Sequence, residues 1–118
     1  MKIASLALGI FFSLAVALVT SLQAQFAYVA NSGDNTISAY SIGSNGALTP
    51  VPGSPFAGGD VPRSVTVDPT GQFAYVANSL RNTISGYSID RKTGALTPVP
   101  DSPFETGSIP WSVAIARH

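Results

Sequence analysis

The sequence predicts an all-β fold of two four-stranded antiparallel β-propeller blades, and three observations carry that prediction. Residues 25–42 and 72–89 match at 15 of 18 positions, with an offset of 47. After a one-residue insertion the match resumes: GALTPVP occupies 46–52 and 94–100, and SPF occupies 54–56 and 102–104. The resulting repeat of 47 to 48 residues is rich in Val, Ile, Tyr and Thr and punctuated by Gly, Pro and Asn. That is the length and composition of one propeller blade.

Residues 1–24 stand apart from the repeats. Lys2 precedes an apolar run over residues 3–19, then Thr20 and Ser21, then Leu22-Gln23-Ala24. A basic start, an apolar middle and a small final residue describe a secretory signal with cleavage after Ala24, although Leu22 departs from the small residue preferred at that point. The alternative is a retained anchor, for which the run is at the short limit of a bilayer span. The expectation is an exported protein, secreted or periplasmic, with no stable membrane span after cleavage. The remaining residues, 25–118, divide into repeats at about 25–71 and 72–118.

Each repeat reads as strands separated by turn residues. Residues 26–30 alternate as a strand, and Asn31-Ser32-Gly33-Asp34-Asn35 supplies the Gly and Asn that tolerate positive φ in a turn. Residues 36–42 form the next strand, and 43–46 turn the chain again. The strand over 47–51 is short. Its prolines cannot donate to a ladder, which puts it on an outer edge. A Pro- and Gly-rich stretch over 52–62 leads to a strand at 64–67. Asp68-Pro69-Thr70-Gly71 then makes a tight turn back to Gln72, where the cycle restarts.

The order of strands follows from this. Counted outward from the channel, the chain runs second, third, fourth, then first to fourth, then a lone first strand over 111–116. Two blades cannot close a ring on themselves, so each end leaves a face uncovered. The expectation is self-association through those faces, since monomers rarely expose large apolar patches.

Composition excludes several classes. Without Lys2 the chain carries five basic and six acidic residues, so no basic field attracts nucleic acid. Cysteine is absent, so β packing alone must hold the fold. There is no Gly-x-Ser-x-Gly elbow, phosphate loop or metal-spaced His/Cys set, and no cofactor is expected.

The Tyr-Val-Ala-Asn motif at 28–31 and 75–78, the NTIS segments, GALTPVP and the Asp-Pro-Thr-Gly turn together resemble the bacterial lactonase-type seven-bladed β-propellers, including the Tyr-Val-Thr-Asn repeat propellers. The resemblance covers nearly all of residues 25–118. Members are often described as 6-phosphogluconolactonases, and some relatives cyclise muconate. The motifs that match hold blades together, so they imply the fold strongly and an activity weakly.

Lactone hydrolysis needs a positioned base or activated water and donors for the oxyanion. The single histidine, His118, is the last residue, and the single glutamate, Glu105, lies in a Pro-rich loop. No catalytic residue is assigned. The repeats differ most usefully where Arg63 aligns with Trp111, just before the innermost strand. Arg63 suits a carboxylate or phosphate, and Trp111 suits stacking on a ring. The blander reading is a solvated Arg63 and a Trp111 packed on a neighbouring blade. With Asn31, Asp34, Asn78 and Arg81 from the adjacent turns they form a candidate channel mouth for a small sugar-like or lactone ligand. A calcium loop at 31–35 is disfavoured, because only Asp34 is charged and the second copy has Arg81 there.

The preferred functional reading is an exported partial propeller, either a truncated relic or a structural or binding module without an intact active site. The alternatives are a lactone hydrolase working as a multi-copy assembly and a cell-surface interaction module.

Overall fold

The computed structural model describes residues 25–116. The segment expected to direct export, residues 1–24, and His118 lie outside the described residues. Among the described residues nine strands form: β1 Phe26–Asn31, β2 Thr36–Ile42, β3 Leu48–Pro50, β4 Phe56–Ala57, β5 Pro62–Val67, β6 Phe73–Asn78, β7 Thr83–Ile89, β8 Leu96–Pro98 and β9 Phe104–Glu105. Among the described residues no helix is long and apolar enough to cross a membrane.

The strands make two antiparallel sheets. In the first, β1 pairs with β2, and β2 pairs with both β3 and β4. The second adds an innermost strand: β5 pairs with β6, β6 with β7, and β7 with both β8 and β9. The registers of the two sheets correspond. Ala30 lies opposite Ile37, as Ala77 lies opposite Ile84. These are the two blades expected from the repeat, shifted by one strand.

Two details differ from the sequence reading. The fourth strand of each blade is split, which adds β4 and β9 inside stretches expected to be loops. The chain leaves the edge between Val51 and Pro55, yet the ladder stays satisfied. Val51 donates its N–H to the Ala39 carbonyl (2.9 Å), and the Ser54 hydroxyl accepts from the Ala39 N–H (2.8 Å). Val99 and Ser102 do the same for Gly86. A backbone group left without a partner would be costly, and a serine replaces the missing strand residue.

The second difference concerns 111–116, expected as a lone first strand. It forms no strand pairing. A first strand is defined by its pairing with a second strand, and among the described residues no strand lies beside it. The Thr66 hydroxyl anchors it across the gap by donating to the Val113 carbonyl at 2.8 Å.

The turns follow their residues. Asn35 and Asn82 sit at φ 58° and 56°, a region that asparagine tolerates. Asp68 caps its turn by accepting from Thr70 Oγ1 (2.8 Å) and the Gln72 N–H (3.1 Å). Slight burial pushes its carboxyl up, but hydrogen bonds from Thr70, Gln72, Phe73 and Gly71 outweigh this and hold it below the usual carboxylate range.

The core is the joint between blades. Ile37, with Tyr28, Ala30 and Phe56, packs from the first blade against Ala74, Val76, Tyr87 and Leu96 of the second. Two tyrosine hydroxyls cross the joint in opposite directions. Tyr28 donates to the Gly94 carbonyl and Tyr87 to the Ala57 carbonyl, each at 2.8 Å. Burial pushes the Tyr28 phenol up to about 12. Burial also raises Tyr87, partly offset by Ser85.

Candidate functional site

The candidate mouth is the rim where the innermost strands begin. The chain reaches it through Val61 and Ile109, β-branched residues held at φ 54° and 52°. Such residues are rare in the left-handed region, which costs on the order of 1–3 kcal/mol. The surroundings impose it twice in the same way. Asn35 Oδ1 accepts from the Val61 N–H (2.9 Å), and Asn82 Oδ1 accepts from the Ile109 N–H (2.8 Å). The turn of one blade thus clasps the segment leading into the next innermost strand. This fixes where Arg63 and Trp111 emerge.

Arg63 and Trp111 come together. The guanidinium carbon lies 4.4 Å from the centroid of the Trp111 ring, within cation–π range. Arg63 Nε also donates to Ser79 Oγ at 3.3 Å, and Ser79 Oγ in turn donates to the Val61 carbonyl at 3.1 Å. The indole remains 60% exposed. A charged plane and an aromatic face therefore sit side by side at the surface, with the arginine steered by Ser79.

The other candidates have different partners. Asn31 Nδ2 donates to Thr36 Oγ1 (3.1 Å) and Ser38 Oγ (2.8 Å). Asn78 Nδ2 repeats this with Thr83 Oγ1 (3.2 Å) and Ser85 Oγ (2.8 Å). Both amides staple the second strand to the third, which explains why Asn recurs with Asn-Thr-Ile-Ser. Asp34 is exposed in its turn. Arg81 pairs with Asp60.

Asp60 and Ser79 were not among the residues singled out from sequence. Asp60 stands where the other repeat has Ser108, and Arg81 where it has Asp34. Two charge changes that bring opposite signs to one rim were the available signal. A concavity of about 370 Å³ lies beside this pair, lined by Gly59, Asp60, Asn78, Arg81, Thr83 and Pro103. A second crevice, of about 420 Å³, opens on the opposite rim between Phe26, Asp68 and Arg91. It lies over the seam of the blades, away from Arg63 and Trp111.

At this rim the Asp60 carboxylate is engaged by Arg81. Among the described residues, no three His, Cys, Asp or Glu side chains group as metal ligands.

Comparisons with known proteins agree with this architecture. The family described as "Lactonase, 7-bladed beta-propeller" matches residues 13–111, a stretch that begins inside the segment read as an export signal. No curated protein matches the chain. The crystal structure of a "putative 6-phosphogluconolactonase" from Bacteroides fragilis superposes with a TM-score of 0.65 at 25% identity, covering 72% of this chain and 23% of that one. A protein from Lactobacillus plantarum superposes with a TM-score of 0.63 at 29% identity, covering 71% and 24%. The chain therefore spans about a quarter of the length of these relatives.

Proposed function

The chain belongs to the lactonase family of seven-bladed β-propellers, and from that premise we propose that its two blades are a ligand-binding sector without a complete catalytic set. The observation that carries this reading is the Arg63 guanidinium stacked 4.4 Å from the Trp111 ring at the mouth. The pair suits a small anionic sugar acid or sugar lactone. A carboxylate or phosphate meets the planar guanidinium fork, and the apolar face of a sugar ring lies on the indole. The Bacteroides relative bears the name of an enzyme acting on a phosphorylated sugar lactone, which makes that ligand class the one to try. The export reading goes with this proposal, and mass spectrometry of the mature N-terminus tests it: a start at Gln25 supports export, and intact Met1 in the cytoplasm overturns it.

Trp111 is the chain's single tryptophan, so its fluorescence reports on the site directly. Titration with 6-phosphogluconate should change the emission, and Arg63→Ala should abolish the change. Arg91→Ala, on the far rim, should leave it intact. Identical titrations for the native chain and Arg63→Ala would overturn the binding site. Hydrolysis of the corresponding lactone should not exceed the spontaneous rate. Turnover that disappears in Asp60→Asn would instead establish a lactone hydrolase, the second reading, in which several copies supply one site.

A further inference from the structure

The joint between the blades uses a different face of each. The first blade contributes the face bearing Tyr28, Ala30 and Ile37. The second contributes the opposite face, bearing Ala74, Val76 and Tyr87. Each blade therefore also carries the face that its neighbour uses, and the repeat makes those unused faces the same in sequence. On the first blade, Val29, Ile42 and Leu48 stand where Val76, Ile89 and Leu96 stand in the joint. On the second, Tyr75, Ile84 and Phe104 stand where Tyr28, Ile37 and Phe56 stand. Val29, Ile42, Leu48 and Phe104 are among the exposed large apolar side chains, at 45%, 36%, 54% and 40%.

We propose that a second copy of this chain docks on the open face of the first blade through its own second blade and rebuilds the internal joint. The occupant follows from the surfaces. A patch that already recognises its complement inside the chain recognises the same complement on another copy. Every side chain of the apolar cluster has an identical counterpart available, Val65 included, whose equivalent is Val113, while Ala57, which lends only its carbonyl, is replaced by Glu105. The hydroxyl clasps carry over as well. Tyr28 to Gly94 becomes Tyr75 of one copy donating to the Gly46 carbonyl of the next. Tyr87 to Ala57 becomes Tyr40 of that next copy donating to the Glu105 carbonyl of the first. The segment 111–116 also gains a partner. Among the described residues nothing pairs with the channel-facing edge of β1, and the β5–β6 register places Val113 opposite Val29 there. The contact is heterologous, so successive copies close a ring or grow as an open chain. This inference rests on the internal joint and not on the ligand reading.

The test uses two variants that each block one face, Leu48→Glu and Phe104→Glu. Both sites are exposed, so both variants should keep the far-ultraviolet spectrum and cooperative melting of the native fold. Light scattering should show the native chain as a multi-copy species and each variant alone as a monomer. An equimolar mixture should give a dimer and nothing larger, because one intact pair of faces remains. Milder variants, Tyr40→Phe and Tyr75→Phe, should each weaken association by about 3- to 10-fold, the loss of one hydrogen bond. A native chain that stays monomeric at micromolar concentration overturns the proposal. So does association that survives both charged variants, or a mixture that remains monomeric.

Discussion

Val76 is fully buried, and Val29, its counterpart one repeat earlier, is 45% exposed. Leu96 and Leu48 differ in the same way, at 6% and 54%. On the opposite face the order reverses: Ile37 is fully buried while its counterpart Ile84 is half-buried. The residues are identical, their strands pair in the same register, and their turns have the same backbone. The difference is the neighbour. A blade's sequence determines which side chains point to each face, and only the adjacent blade decides whether a face becomes core.

Substitutions made in pairs, one per blade, test that comparison. The largest contrast should come from Leu96→Ala and Leu48→Ala. The first removes a buried side chain and should cost about 2–5 kcal/mol, while the second should stay within about 0.5 kcal/mol. Urea unfolding at protein concentrations too low for association measures both, and equal costs would break the comparison. Raising the concentration sharpens it, since a docked second copy would make Leu48→Ala costly too.

Next come two glycines. A Cβ at Gly59 would collide with the Asn78 amide, whereas Gly107, its counterpart, has nothing within 4 Å. Asn78 is fully buried and held by Thr83 and Ser85, so it cannot step aside. Gly59→Ala should cost about 1–3 kcal/mol, as overpacking does. Gly107→Ala should be within about 0.5 kcal/mol of neutral. Thermal melts of the two variants compare them directly.

A smaller contrast is expected for the tyrosines. Tyr28→Phe removes the bond to Gly94 across the joint and should cost about 1 kcal/mol. Tyr75→Phe should be nearly silent in the monomer, because the equivalent acceptor lies on the far face of the other blade.

The smallest effect is a slope with pH. The Tyr28 phenol rises from 10.0 to about 12 in the folded chain because it is buried, and burial raises Tyr87 too. Below pH 10 both tyrosines are protonated whether the chain is folded or not, and their contribution is fully present. Above it the unfolded chain releases protons that the folded chain keeps, so stability falls as pH rises through about 12. Denaturation across that window should show the decline. Tyr28→Phe should flatten it, and an unchanged slope would remove Tyr28 as its source.

Much of the fold was legible because the repeat is close to exact. Alternation over 26–30 and 36–42 gave strands, the Asn- and Gly-bearing segments gave turns, and Pro50 and Pro98 marked the outer edge. The split of the outer strand was not legible. Its continuity depends on Ser54 and Ser102 reaching across to the next strand, and a serine among prolines and glycines reads as loop. The positive φ at Val61 and Ile109 was hidden for a related reason. Propensity opposes it, and N–H bonds donated to the Oδ1 atoms of Asn35 and Asn82, 26 and 27 residues away, enforce it.

At the candidate site, the alignment of Arg63 with Trp111 indicated that both face one rim. It could not indicate that they stack, or that Ser79 orients the arginine. Asn31 and Asn78 looked equally available as ligand contacts, and their amide nitrogens turned out to be engaged within their own blades.

By itself the sequence determined the repeat, the strand order within each blade and which residues share a face. Those properties follow from local backbone preference and the two-residue period of a strand. Tertiary structure alone decided which of the identical faces is buried, which tyrosines cross the joint and which arginine meets the tryptophan. Burial and long-range hydrogen bonds depend on what lies on the other side of a surface, and two copies of one sequence carry the same code while standing beside different neighbours.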